Sequence, residues 1–476
     1  MNWFNFTKLL LICSVLTIIT NFPSGFTNSS INTAVFEFER FLNDSYDDRG
    51  IHLTKHTFTL LKSSTLNIWF VAQIIGAIIS PFVPDRYGRK NAYLFATGMM
   101  TFASGLQLAA SFIGAPELLI FGRALMALCS PLSDAVLILY LQEVSPPSMR
   151  GMVCFLAEIG YSLMCVLGMI LGMKSVFGES LEKLLAVPIL PGLFSLLFLL
   201  FIPETPKYLM LVKNNRKLAI KSLQFFQGTN NKNEETVDDY TQELNDDRTD
   251  GESSITEILV TPQLRKAVFL GLCVMILTVP FYPILQSSTY MLVSSKIPKH
   301  ISEASSTIGF GIFVIACILG TFFIDKYPRR TLILSSGIIS TTCIISFVGF
   351  WSYSSVKAHL WAQIGVLISL LMFLVSFGMV IGPASWFIGP ELVAQRHRAT
   401  VFCTCFGINN LFIFLTNFAL LPIYNIIGAY SFLPLYVIPS TIALIFIYIY
   451  LPETLGRETH DIVVEMTSKT SVIQPV

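Results

Sequence analysis

Charged residues make up only 13% of this 476-residue chain, and those that recur form a pattern able to make and break ion pairs. A basic motif occurs twice, about 240 residues apart: Asp85-Arg86-Tyr87-Gly88-Arg89-Lys90 and Asp325-Lys326-Tyr327-Pro328-Arg329-Arg330. Carboxylates repeat in step with it. Glu143-Val144-Ser145-Pro146 with Arg150, and Pro390-Glu391-Leu392 with Arg398, follow the fourth and tenth long apolar stretches. Pro203-Glu204-Thr205-Pro206 and Pro452-Glu453-Thr454 end the sixth and twelfth. A carboxylate and an arginine at equivalent helix ends can hold moving bundles through charge-assisted hydrogen bonds, and part into water when the ends separate. The expected gate and charge latch is therefore Asp85, Arg86, Gly88, Arg89, Glu143, Arg150, Glu204, Asp325, Arg329, Arg330, Glu391, Arg398 and Glu453. Helix capping and membrane anchoring would account for the arginines, but not for the matched carboxylates.

The elements that must position these residues are membrane helices. With 53% hydrophobic residues, a soluble globule would lack adequate polar surface, so the lipid bilayer is the expected solvent. A net charge of +1 without a long basic run argues against nucleic acid. The nine cysteines lie in or beside apolar stretches, without zinc-site or disulfide spacing. Stretches long enough to cross about 30 Å of hydrocarbon fall at 8–30, 63–84, 91–113, 116–141, 151–175, 182–202, 267–293, 303–324, 331–352, 360–389, 400–424 and 428–451. This predicts an all-α membrane protein of twelve spans. The first also reads as a secretory signal, whose cleavage would leave eleven. Arginine and lysine fill alternate loops, which places those loops and both termini in the cytoplasm of a multi-pass cell-membrane protein. The opposite loop, 31–62, carries the glycosylation acceptor Asn43-Asp44-Ser45. The expected domains are a six-helix bundle at 1–206, a cytoplasmic linker with short helices at 207–266, a second six-helix bundle at 267–454 and a cytoplasmic tail at 455–476. Within the linker, 213–227 reads as an amphipathic helix and 230–254 as a flexible acidic run.

The chain resembles the major facilitator superfamily, and within it the sugar-porter family of facilitative glucose and fructose transporters. The resemblance rests on Arg86-Tyr87-Gly88-Arg89-Lys90, Gly122-Arg123, the two carboxylate–arginine pairs, Pro203-Glu204-Thr205-Pro206, Gly382-Pro383 with Trp386-Phe387, and Pro452-Glu453-Thr454 with Gly456-Arg457. It implies the major facilitator fold: twelve transmembrane helices in two pseudosymmetric six-helix bundles that alternate access to a central cavity. It also implies a substrate site at Glu158, Tyr282, Trp386 and Asn409, with no cofactor and no metal.

Around that site the chain departs from the family. The paired glutamines and the asparagine of the seventh helix correspond to Ile276, Leu277 and Tyr282, the eighth-helix asparagine to Phe313, the tenth-helix glutamate to Gly378 and the eleventh-helix tryptophan to Asn410. These losses make the second-half wall apolar and predict altered hexose recognition. Glu158 and Asp134 add charge to the first half, Asp134 either facing a water-filled cavity or solvated near the cytoplasmic interface. Proton-coupled members of the family place an acidic residue in the first helix, whereas this chain has none between Asn21 and Asn32 and no histidine mid-membrane, so the resemblance implies facilitative uniport of a hexose or similar small solute. Proton coupling through Glu158, an organic-ion porter and a non-transporting sugar sensor stay open. No catalytic constellation stands out, so an enzyme is not expected, and no obligate protein partner is implied.

Overall fold

The computed structural model describes residues 3–228 and 255–455, apart from 81, 147–149, 325, 358 and 394–396, together with Glu234 and Val237. The tail beyond Leu455, the linker run 230–254 except for Glu234 and Val237, and Asp325 therefore lie outside the described residues, as do the side chains of Asp85 and Arg150. Helices dominate, and the described residues contain no strand. Among the described residues, ten helices are long and apolar enough to cross a membrane. The other two expected spans are the helices Arg89–Ile113 and Arg150–Leu171.

Contacts divide the chain into two compact units. The first comprises Met1–Thr27, Val71–Met164 and Leu181–Glu252, the second Asn28–Phe70, Cys165–Ser180 and Ser253–Val476. The cut does not follow the halves of the sequence: the helices Trp3–Thr33, Lys55–Ile79 and Arg150–Leu171 each contribute to both units.

In the first unit the Arg89–Ile113 helix lies along Pro116–Val144, the two joined through Gly114 in the left-handed conformation at φ 66°. Ala96, Ala103 and Ala110 recur every seven residues on its buried face. Without a hydrophobic driving force between helices in lipid, such small residues permit close backbone packing. Gly122 answers them, since a Cβ there would stand 2.8 Å from Gln107 Cγ. The first helix is built into this core through Leu9, Cys13, Leu16 and Ile19. It also offers the Leu16 carbonyl to Tyr93 Oη at 2.6 Å, so loss of the segment as a leader would strip a core wall.

The linker begins as expected, with a helix over Arg216–Gln227 capped by the Asn215 side chain, which accepts from the Leu218 amide at 3.1 Å. Its apolar face, Ala219, Leu223 and Phe226, is buried at the spacing of one helical stripe. Ser222 and Gln227 fasten it, donating to the backbone carbonyls of Glu204 and Val144 at 2.6 and 3.0 Å.

Three expected features change in the second unit. The segment 31–62, read as a loop, is largely helical, with a helix over Val35–Asp47 that carries exposed Asn43. The seventh span is broken, running as Pro262–Ile276 and resuming at Phe281–Ser294. Pro280 has no amide hydrogen to donate to Ile276 and its ring crowds that carbonyl, which favours a break at this point. The tenth span is interrupted by a wider π turn over Phe377–Ile381 between Leu360–Ser376 and Gly382–Glu391.

Candidate functional site

Each unit carries a charge cluster, and the two are built alike. In the first, Arg89 donates through Nη2 and Nε to Glu143 Oε1 at 3.0 and 3.1 Å, with side chains only 11% and 7% exposed. Glu143 Oε2 accepts from the Thr205 hydroxyl. Both oxygens of Glu204 accept from the Lys90 amide at 3.1 Å, which sets a carboxylate on the N-terminus of the Arg89–Ile113 helix, where orphan amides and the helix dipole favour an anion. Burial holds the Glu204 carboxyl above the ordinary carboxylate range, against the pull of the Thr205 and Lys90 amides.

The second unit repeats this construction. Arg329 donates to Glu391 Oε1. Glu453 accepts from the amides of Arg329 and Arg330 at 2.8 and 3.1 Å, at the start of the Arg329–Lys357 helix. The expected residues are thus brought together in sets: Arg89, Glu143, Glu204 and Gly88 in one unit, Arg329, Arg330, Glu391 and Glu453 in the other. Each ion pair joins helix ends of its own half of the sequence. Arg86 is exposed, 5.6 Å from the Tyr87 ring, and Arg398 is exposed.

The expected substrate residues fall in both units. Glu158 is half-buried on the Arg150–Leu171 helix in the first, where Asp134 accepts from the Ser130 hydroxyl at 3.4 Å. Tyr282, Trp386 and Asn409 belong to the second. Tyr282 stands edge-on to Phe70 with 5.2 Å between ring centroids, and Trp386, 38% exposed, leans on Phe402 and Phe406.

Phe313 is fully buried rather than a bare apolar wall: it packs among Phe281, Phe310 and Phe377. A Cβ on Gly378 would come within 2.8 Å of the Phe313 ring, so these two departures from the family pattern form one exchange of volume.

Gln286 and Asn28, which the sequence analysis did not single out, add buried polarity to the second unit. Gln286 lies one turn beyond Tyr282 and is 5% exposed, and its Nε2 has no hydrogen-bond partner. Asn28 Oδ1, Asn409 Oδ1 and Asn410 Nδ2 are likewise buried and unpartnered. The polar run Gln286-Ser287-Ser288-Thr289 inside an otherwise apolar span was the available signal. The helices Phe281–Ser294 and Arg398–Ile427, which carry Gln286 and both asparagines, pack on each other.

A second set of unanticipated contacts ties N-terminal to C-terminal sequence inside the second unit. Asn32 is completely buried and donates to the Leu285 carbonyl at 2.9 Å and Ser288 Oγ at 2.7 Å, while accepting from the Thr289 amide at 3.0 Å. Asn425 donates to Thr59 Oγ1 at 3.0 Å and Ser63 to the Phe418 carbonyl at 3.0 Å. Lys62 is buried, paired with Glu39 and 4.5 Å from the Tyr290 ring centroid.

Residues 9–465 match the profile of the family described as sugar (and other) transporter. The chain belongs to that family. This transporter is 26% identical over 471 residues to human solute carrier family 2, facilitated glucose transporter member 9, covering 96% of this chain and 85% of the relative. It is 23% identical over 464 residues to rat facilitated glucose transporter member 5, covering 94% and 91%. Its fold is that of the major facilitator superfamily. The partially occluded inward-open structure of the xylose transporter XylE from E. coli superposes with a TM-score of 0.75 at 16% identity, over 94% of this chain and 99% of that one. The proton:xylose symporter XylE bound to 6-bromo-6-deoxy-D-glucose gives 0.75 at 16%, over 98% and 100%. The protein is thus a multi-pass membrane transporter.

Proposed function

We propose that this transporter carries a hexose or a closely related small polyol across the cell membrane by facilitative uniport, with alternating access between the halves 1–206 and 267–454. The supporting observation is the group of buried, unpartnered amide atoms on Asn28, Gln286, Asn409 and Asn410. Leaving such groups unsatisfied costs roughly 1–3 kcal/mol each, and a polyol supplies the missing donors and acceptors. Trp386 offers an apolar ring face to a sugar, with Tyr282 and Glu158 as further polar contacts. In this reading Arg89–Glu143 and Arg329–Glu391 stiffen the cytoplasmic end of each half. Both termini are cytoplasmic and Asn43 faces outward.

Uptake of a labelled hexose panel into proteoliposomes, with and without a pH gradient, tests this. Saturable uptake indifferent to the gradient is expected. Absence of uptake for every hexose would overturn the substrate class. Half-buried Glu158 supports proton coupling as a second reading. Uniport predicts that Glu158→Gln retains flux, whereas coupling predicts loss of pH-driven accumulation.

A further inference from the structure

A cleft of about 610 Å³ opens in the second unit between the ends of the Phe281–Ser294, Arg329–Lys357 and Arg398–Ile427 helices. Its walls include Tyr290, Ser294, Trp351, Tyr424, Asn425 and Tyr430, with Ile426 and Ile427 beside them. Asn425 lies sixteen residues beyond Asn409 on the same helix, which at 1.5 Å per residue separates them by roughly 24 Å. Tyr290 is eight residues beyond Tyr282, or roughly 12 Å. The cleft is therefore remote from the proposed transport site.

Its walls are held by their own hydrogen bonds. Trp351 Nε1 donates to Ser294 Oγ at 2.9 Å, Ser294 Oγ pairs with Tyr424 Oη at 2.6 Å, and Tyr290 Oη donates to Asn425 Oδ1 at 3.1 Å. Trp351 meets Tyr424 and Tyr430 edge to face, with centroids 5.8 and 6.5 Å apart. Gly428 makes the floor possible: its φ is 63°, and a Cβ there would lie 1.9 Å from the indole ring. Fixed aromatic planes flanked by an amide and hydroxyls suit a ring that is apolar on its faces and polar at its rim. None of the lining residues is charged, so an ionic ligand would lose hydration without gaining a counter-charge.

We propose that this cleft is a second binding pocket, for a neutral hydroxyl-bearing ring compound of the glycoside type. Tyrosine and tryptophan at this level would also suit a membrane-interface belt, but a belt requires neither the cross-bonded side chains nor the glycine floor. That the pocket is second to a transport site rests on the function proposed above, whereas binding in it does not. The test is therefore a binding measurement without flux. Phenyl β-D-glucopyranoside is titrated by calorimetry into the full chain in lipid nanodiscs. Saturable binding is expected, weakened at least tenfold by Trp351→Leu and by Tyr430→Ser. Tyr430 is 48% exposed, so its replacement leaves the fold intact even if Trp351→Leu does not. No saturable binding, or equal affinity in Tyr430→Ser, would overturn the assignment.

Discussion

At Gly88 the backbone stands at φ 96°, and a Cβ would fall 2.5 Å from Glu204 Oε2 and 2.9 Å from Tyr208 Cε1. Gly88→Ala therefore meets backbone strain and a displaced carboxylate together. It is expected to lower stability by about 1–3 kcal/mol, read as a reduced melting temperature of the purified protein. The second motif has Pro328 in this place, whose ring fixes φ near −65°, so the repeated charge cluster is reached through two different turns. The ion pairs invite a sharper comparison. Arg89→Ala leaves Glu143 buried with one partner fewer, and truncating such pairs costs about 3–5 kcal/mol. Arg329 and Glu391 are more exposed, at 17% and 28%, so Arg329→Ala should cost less. Parallel thermal melts of the two variants check the order, and a larger loss in Arg329→Ala would contradict it.

Among the elements, the eighth and tenth spans are coupled through Phe313 and Gly378. Gly378→Ala forces a methyl group against the Phe313 ring, an overpacking worth about 1–3 kcal/mol. Phe313→Leu in the same chain should recover part of the loss, because a smaller, flexible side chain vacates the space. Non-additive melting temperatures across the two single variants and the double variant are the expected outcome. If the effects simply summed, the two positions would not share one volume. The break in the seventh span makes a different demand. Leu277 to Pro280 leave the helical ladder, and Tyr282 and Gln286 sit on the short helix that follows.

For the whole molecule, the hydrogen bonds of Asn32 and Asn425 join N-terminal to C-terminal sequence at the ends opposite the arginine-bearing loops. Alternating access requires such contacts to open once per cycle. With Thr59→Cys and Asn425→Cys in one chain, a short bis-thiol crosslinker should arrest transport by more than tenfold, and a reducible version should release it. Flux undiminished by complete crosslinking would show that these ends never part. The orientation has its own check: Asn43→Gln should abolish a glycosidase-sensitive mobility shift in cells that glycosylate membrane proteins. Epitope tags on both termini should be reachable only after permeabilisation.

Span number, helical class and the duplicated charge motifs were legible in the sequence because a bilayer imposes a length and an apolar composition on whatever crosses it. That constraint acts on each segment separately, so no tertiary knowledge is needed to read it. The amphipathic Arg216–Gln227 helix was legible for a similar reason, its stripe having the period of one helix face. Partnership was not legible. Arg89 and Glu143 are 54 positions apart, and Arg329 and Glu391 are 62 apart. Composition shows that they recur, but only packing shows that each pair closes within its own half. The same holds for Asn32, which in sequence is one more polar residue near the end of a span and in three dimensions bonds residues 256 and 257 positions away. Gln286 and Asn28 were hidden because an unsatisfied amide is defined by its surroundings. Phe313 read as a lost polar contact until the space above Gly378 showed what it fills. Volume and hydrogen-bond satisfaction belong to sets of residues remote in the chain, and only the tertiary structure assembles those sets.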